Sequence, residues 1–145
     1  MKKMKLLILV SLLGIFCLGF TTDKEHRPNE ILGYYWSPKK DAKIQIYLKG
    51  REYFGRFVWL EKPRKDIKNP NKALQSKDVL GLELLTEFTY NDGTYGGGKI
   101  YDPESGKTYS CKMTLENTWL KVRGYIGISL FGRTEFFERI KYVPL

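Results

Sequence analysis

Histidine and cysteine are almost missing from this chain, and that scarcity removes several chemistries. The single histidine, His26, lies in a polar stretch near the N-terminus. A Ser-His-Asp or Cys-His arrangement would therefore lack a base in the body of the sequence. Two cysteines, Cys17 and Cys111, are too few for a zinc site of the usual His/Cys kind. No cofactor is implied. Cys17 belongs to an apolar N-terminal run, which leaves Cys111 without an intramolecular disulfide partner. The fold must then stand on its core alone, and the roughly 123 residues that follow residue 22 suffice for that.

Long apolar runs are also scarce. The one present, residues 6–20 (LLILVSLLGIFCLGF), falls short of the about 20 residues a spanning helix needs. It follows a basic start, Met1-Lys2-Lys3-Met4-Lys5, and precedes a polar stretch, Thr21-Thr22-Asp23-Lys24-Glu25. That order is the pattern of a secretory signal peptide over residues 1–22. Its cleavage site is irregular, with Gly19-Phe20-Thr21 nearest to a small-x-small triplet. Phe16 before Cys17 argues against lipidation. The expected location is the periplasm or the extracellular space, and residues 23–30 read as a polar, disordered leader.

What is present in abundance is basic charge and aromatic surface. The chain carries a net charge of +9, and removing Lys2, Lys3 and Lys5 with the signal leaves +6. This excess permits peripheral contact with anionic lipid heads or polysaccharide. Export makes nucleic acid the least fitting partner. Tyrosine and phenylalanine outnumber tryptophan, 10 and 8 against 3, which favours β structure.

From residue 31 onward a period of two dominates. Strands are expected over 31–36, 41–48 and 52–60, with a turn at Lys49-Gly50-Arg51. In the third, Tyr53, Phe57 and Trp59 share one face, while Phe54, Val58 and Leu60 share the other. Residues 61–78 break the pattern with charge, Pro63 and Pro70, and read as a long excursion loop, a feature often functional. Residues 79–90 suit a short helix or a strand; the extended reading is favoured because Asn91-Asp92-Gly93 follows as a hairpin turn. Strands are then expected over 94–101, 107–116, 118–128 and 133–142. In 107–116, Tyr109, Cys111, Met113 and Leu115 point inward, which makes Cys111 a buried, unreactive core residue. In 118–128, Leu120, Val122, Ile126 and Ile128 share a face. The expected fold is all-β: one small antiparallel barrel of about eight strands over residues 31–145.

Several segments, taken together in order, resemble one family. They are Gly33-Tyr34-Tyr35-Trp36, Val58-Trp59-Leu60, Lys68-Asn69-Pro70, Leu80-Gly81-Leu82, Tyr95-Gly96-Gly97-Gly98-Lys99-Ile100-Tyr101-Asp102-Pro103, Ser105-Gly106-Lys107-Thr108-Tyr109, Leu120-Lys121-Val122-Arg123-Gly124-Tyr125-Ile126-Gly127 and Leu130-Phe131-Gly132-Arg133-Thr134. The pattern is similar to the bacterial exported domain-of-unknown-function family numbered 2147 and covers nearly all of the chain after the signal. The resemblance implies a signal peptide and a lipocalin-like, calycin-type barrel. It supplies no reaction, ligand or catalytic residue. The last strand departs from the family by placing Phe136-Phe137 where a tryptophan is expected nearby.

The candidate ligand-binding residues are Trp36, Trp59, Tyr101, Asp102, Tyr109, Arg123 and Arg133. Trp36 and Trp59 are expected in one continuous interior, with Trp36 plugging a barrel end under Arg133 or Arg139. Asp102 and Glu104 could orient a polar ligand near Arg133, or Asp102 could simply cap its own Asp-Pro turn. Gly96-Gly97-Gly98-Lys99 lacks the spacing of a phosphate loop and leads into a strand, so a bulge or a close crossing is the better account. Two functions compete. One is a carrier of a small apolar or amphipathic envelope molecule inside the barrel. The other is a filled barrel that acts on an envelope partner through its loops, chiefly residues 61–78. Carboxylate hydrolysis is a distant third, so the chain is not expected to be an enzyme. Ligand identity and oligomeric state stay open.

Overall fold

A computed structural model describes residues 27–141. The signal-peptide reading lies outside these residues, as do His26 and Cys17. Eight strands follow one another: β1 Gly33–Trp36, β2 Ala42–Lys49, β3 Glu52–Leu60, β4 Glu83–Asn91, β5 Thr94–Asp102, β6 Lys107–Glu116, β7 Trp119–Tyr125 and β8 Arg133–Arg139. Each pairs antiparallel with the next, and β8 returns to β1, so the sheet closes into a barrel. Closure leaves no open edge.

The meander gives the barrel two unlike ends. Tight turns after β2, β4 and β6 gather at one end. The longer connections, residues 37–41, 61–82, 103–106 and 126–132, gather at the other. The tight-turn end is closed by a 3-10 turn at Pro28–Ile31. Residues 28–30 are therefore part of the fold, where the sequence suggested a disordered leader running to residue 30. Three inward tyrosines hold this plug. Tyr35 donates to the carbonyl of Ile31 at 2.8 Å, Tyr53 to Asn29 Oδ1 at 2.9 Å and Tyr95 to the carbonyl of Pro28 at 2.6 Å. A polar segment is ordered here because buried hydroxyls need acceptors, and its carbonyls provide them.

Arg139 locks the same end. Its guanidinium lies 5.0 Å from the Tyr35 ring and donates to the Tyr35 hydroxyl at 2.6 Å, to the carbonyl of Leu32 at 3.1 Å and to that of Glu30. Gly33, at φ 141°, lies beneath it, and a Cβ there would sit 3.2 Å from Arg139 Nη1. The expected cation–π lid thus exists with a different ring: Arg139 covers Tyr35, not Trp36.

The inner face of the closed half is filled. Ile46, Leu85, Phe88, Tyr95, Cys111, Met113 and Leu120 are each at most 2% exposed. Cys111 lies where the alternation of β6 places it, and burial pushes its thiol up to about 12. The Gly-rich stretch is a bulge: the β5–β6 register shifts between Tyr95 and Gly98.

Two phase expectations fail for local reasons. In β3 the register against β2 shifts, with Lys43 opposite Trp59 and Ile44 opposite Phe57. Val58 is the extra residue of this bulge, which turns the remainder of the strand over. Phe57 and Leu60 point inward, and Trp59 points out, 39% exposed. β7 ends at Tyr125, so Ile126 and Ile128 leave the sheet, 75% and 57% exposed.

Candidate functional site

The upper end of the barrel opens into a concavity. About 690 Å³ in volume and partly open to solvent, it lies between the four long connections. Its walls are the inward positions of the strands on that side: Ala42, Ile44, Phe57, Leu84, Ile100, Val122 and Phe137. Its rim is polar and charged, with Lys39, Asp41, Arg64, Tyr101, Asp102, Glu104, Tyr109, Arg133 and Glu135. The volume lies within the about 300–1,000 Å³ of small-molecule sites, and an apolar wall with a few polar groups is their usual chemistry. The space exists because small side chains, Ala42 and Gly124, face inward where the closed half carries tyrosines and phenylalanines.

Four of the seven candidate residues come together here: Tyr101, Asp102, Tyr109 and Arg133 line the cavity. Tyr101 donates to Asp66 Oδ1 at 2.7 Å, and burial, aided by that carboxylate, pushes its hydroxyl up to about 12. Asp66 is 1% exposed and also accepts from Asn69 Nδ2 at 2.7 Å. The excursion is accordingly an ordered cap. It is pinned to β5 by this tyrosine, joined to itself by a bridge between Lys65 and Asp78, and anchored in the core by fully buried Val79. Asp102 caps its own turn, accepting from the Glu104 amide at 2.9 Å and from Ser105 Oγ at 2.7 Å. Glu104 faces Arg64 and Lys39, at 3.9 and 4.0 Å, and Arg133 pairs with Glu135 at 2.7 Å. Asp102 and Glu104 are thus not ion-paired with Arg133.

The other three stand elsewhere. Trp36 and Trp59 lie on the outer surface, edge to face at 5.7 Å, with the Lys43 ammonium 4.7 and 5.4 Å from their rings. Trp36 points out because Tyr35, opposite Ile44, takes the inward position of β1. Trp59 follows from the Val58 bulge. Arg123 does not line the cavity. It donates to the carbonyls of Ser129 at 2.6 Å and Leu130 at 3.0 Å and to Thr134 Oγ1 at 2.7 Å. It clamps the loop between β7 and β8.

The residues that sequence reasoning missed are mostly wall residues: Phe57, Ile100, Val122 and Phe137, with Lys39, Arg64 and Glu135 at the rim. Alternation marked the wall positions as inward, but not at which end of the barrel the concavity opens. Among the described residues no group of three or more His, Cys, Asp or Glu side chains could hold a metal ion.

Comparison with known proteins agrees with this architecture. A solved structure from Helicobacter pylori, described as "Protein HP1028 from the human pathogen Helicobacter pylori belongs to the lipocalin family", superposes with a TM-score of 0.71 at 21% identity. The match covers 77% of this chain and 84% of that one. At that identity the likeness speaks for the fold, which is lipocalin-like. No curated protein matches the chain. The sequence profile described as "Uncharacterized protein conserved in bacteria (DUF2147)" matches residues 33–139, which takes in all eight strands. The chain therefore belongs to this bacterial family.

Proposed function

We propose that this protein carries a small apolar or amphipathic molecule in the upper half of its barrel. The observation that carries the reading is the cavity of about 690 Å³ with an apolar wall and a charged rim. An acyl or other hydrocarbon portion would gain from leaving water against Ile44, Phe57, Val122 and Phe137. A polar head would remain at Tyr109, Lys39, Arg64 and Arg133. The alternative, a filled barrel acting only through its loops, leaves the concavity at the mouth without a role.

The test is saturable binding of a fluorescent fatty-acid probe. Gly124 faces the cavity, and a Cβ there meets only ordinary contacts, Ile100 at 3.4 Å and Tyr109 at 3.6 Å. Gly124→Leu should keep the fold and weaken probe binding by about tenfold or more by occupying the space, a loss of about 1.4 kcal/mol. No saturable binding by the wild-type protein across a lipid and metabolite panel would retire the carrier and leave the loop-acting module.

We further propose that the protein works outside the cytoplasm. The basic, apolar, polar order of residues 1–23 supports this. N-terminal sequencing of the protein from the envelope or medium should place its first residue between Gly19 and Asp23. A protein still beginning at Met1 would overturn the proposal.

A further inference from the structure

We infer that the mouth of the barrel docks on an anionic lipid bilayer, with the loop between β7 and β8 as its apolar anchor. Four large apolar side chains within six residues of this loop stand in solvent: Ile126 at 75%, Ile128 at 57%, Leu130 at 74% and Phe131 at 79% exposure. Exposed apolar side chains gathered in this way mark interaction or membrane sites. The Arg123 clamp fixes the loop in this position: its three hydrogen bonds hold the backbone at Ser129 and Leu130 and the side chain of Thr134. The exposure is therefore built in.

Charge selects the occupant. The connections at this end, residues 37–41, 61–82, 103–106 and 126–132, carry eight lysines and arginines against five aspartates and glutamates. Lys62, Lys68, Lys72 and Lys77 are exposed and have no ion-pair partner among the described residues. Apolar side chains at the same end of the barrel as uncompensated cations suit a surface that is apolar within and anionic at its head groups. A second copy of the chain fits less well, since two mouths face to face would oppose like charges. Ile126 and Phe131 also line the cavity, so docking would place its opening against the bilayer. Exchange of a ligand through that opening rests on the carrier reading; the docking itself does not.

Vesicle co-sedimentation of the full chain tests this. Ile128 and Leu130 are exposed, and neither lines the cavity. The double variant Ile128→Ser/Leu130→Ser should keep the wild-type urea midpoint and its affinity for the fatty-acid probe in solution. Its binding to phosphatidylglycerol–phosphatidylethanolamine vesicles should fall about tenfold or more against wild type. Wild-type binding should be weaker on phosphatidylcholine alone and should decline with salt. The inference is overturned if wild type fails to bind, if the variant binds equally well (as it would if residues 6–20 carried the contact), or if neutral vesicles bind as tightly. It is also overturned if the substitutions abolish a concentration-dependent dimer in place of vesicle binding. Failure of the probe to bind while vesicle binding behaves as stated would count against the carrier alone.

Discussion

The ring of Phe88 fills the place where a side chain on Gly98 would begin: a Cβ at Gly98 would lie 2.5 Å from ring carbons of Phe88. Phe88 is fully buried, and Gly98 lies opposite Cys111 in the adjacent strand. The glycine-rich stretch of β5 is thus shaped by packing. Gly98→Ala should destabilise the protein by about 1–3 kcal/mol through overpacking. In a Phe88→Leu background, where the ring is gone, the same change should cost distinctly less. Urea unfolding of the four proteins of this cycle measures the coupling. Equal costs in both backgrounds would show that the contact does not govern the glycine.

Arg139 serves the closed end through one cation. Arg139→Ala removes its hydrogen bonds to the Tyr35 hydroxyl and to the carbonyls of Leu32 and Glu30. The expected loss is about 2–3 kcal/mol, since hydrogen bonds to charged groups exceed neutral ones and their partners are left in a partly buried site. Hydrogen exchange should rise first at Ile31 and Leu32. A midpoint within error of wild type would mean that the tyrosines hold the plug unaided.

Trp36 and Phe57 should behave oppositely to what their size suggests. Trp36→Ala removes an edge-to-face ring pair and a lysine contact on the outer surface, each of order 1 kcal/mol. It should leave probe affinity unchanged. Phe57 is 6% exposed and faces the cavity, so Phe57→Ala should cost about 3–5 kcal/mol and alter probe binding. Loss of probe binding in Trp36→Ala would mean that the outer surface, not the cavity, holds the ligand.

Alkaline conditions should unfold the protein through its buried acids. Burial pushes the Tyr35 and Tyr101 hydroxyls and the Cys111 thiol up to about 12, and raises Tyr95 as well. The folded state therefore holds these protons more tightly than an unfolded chain, where the values are about 10 and 8.5. Their contribution is complete below the unfolded values and is lost as pH rises toward 12. Melting temperature should fall steeply above about pH 10, and tyrosinate absorbance should appear together with unfolding. A maleimide should label Cys111 only in denaturant. Rapid labelling of the native protein at neutral pH would contradict its burial.

The sequence by itself determined most of the strands, most of the turns and the fold class. Side chains alternate across a strand whatever lies around it, so Tyr109, Cys111, Met113 and Leu115 could be assigned inward from β6 alone. Likewise Lys49-Gly50-Arg51 and Asn91-Asp92-Gly93 carry their turns locally, and the order of motifs carries the family. Only the tertiary structure decided the sides of Trp36 and Trp59, the partner of Arg139 and the concavity at the upper end. A bulge at Val58 reverses every side chain after it without leaving a period that can be read. Tyr35 and Trp36 offer an aromatic ring to either face, and the choice falls to Tyr35 because its hydroxyl finds the carbonyl of Ile31 and the guanidinium of Arg139. Arg123 reads as a site residue until its loop folds back onto it. A cavity is a difference between the volume that eight strands enclose and the volume their side chains fill, and that difference arises only when the strands have met.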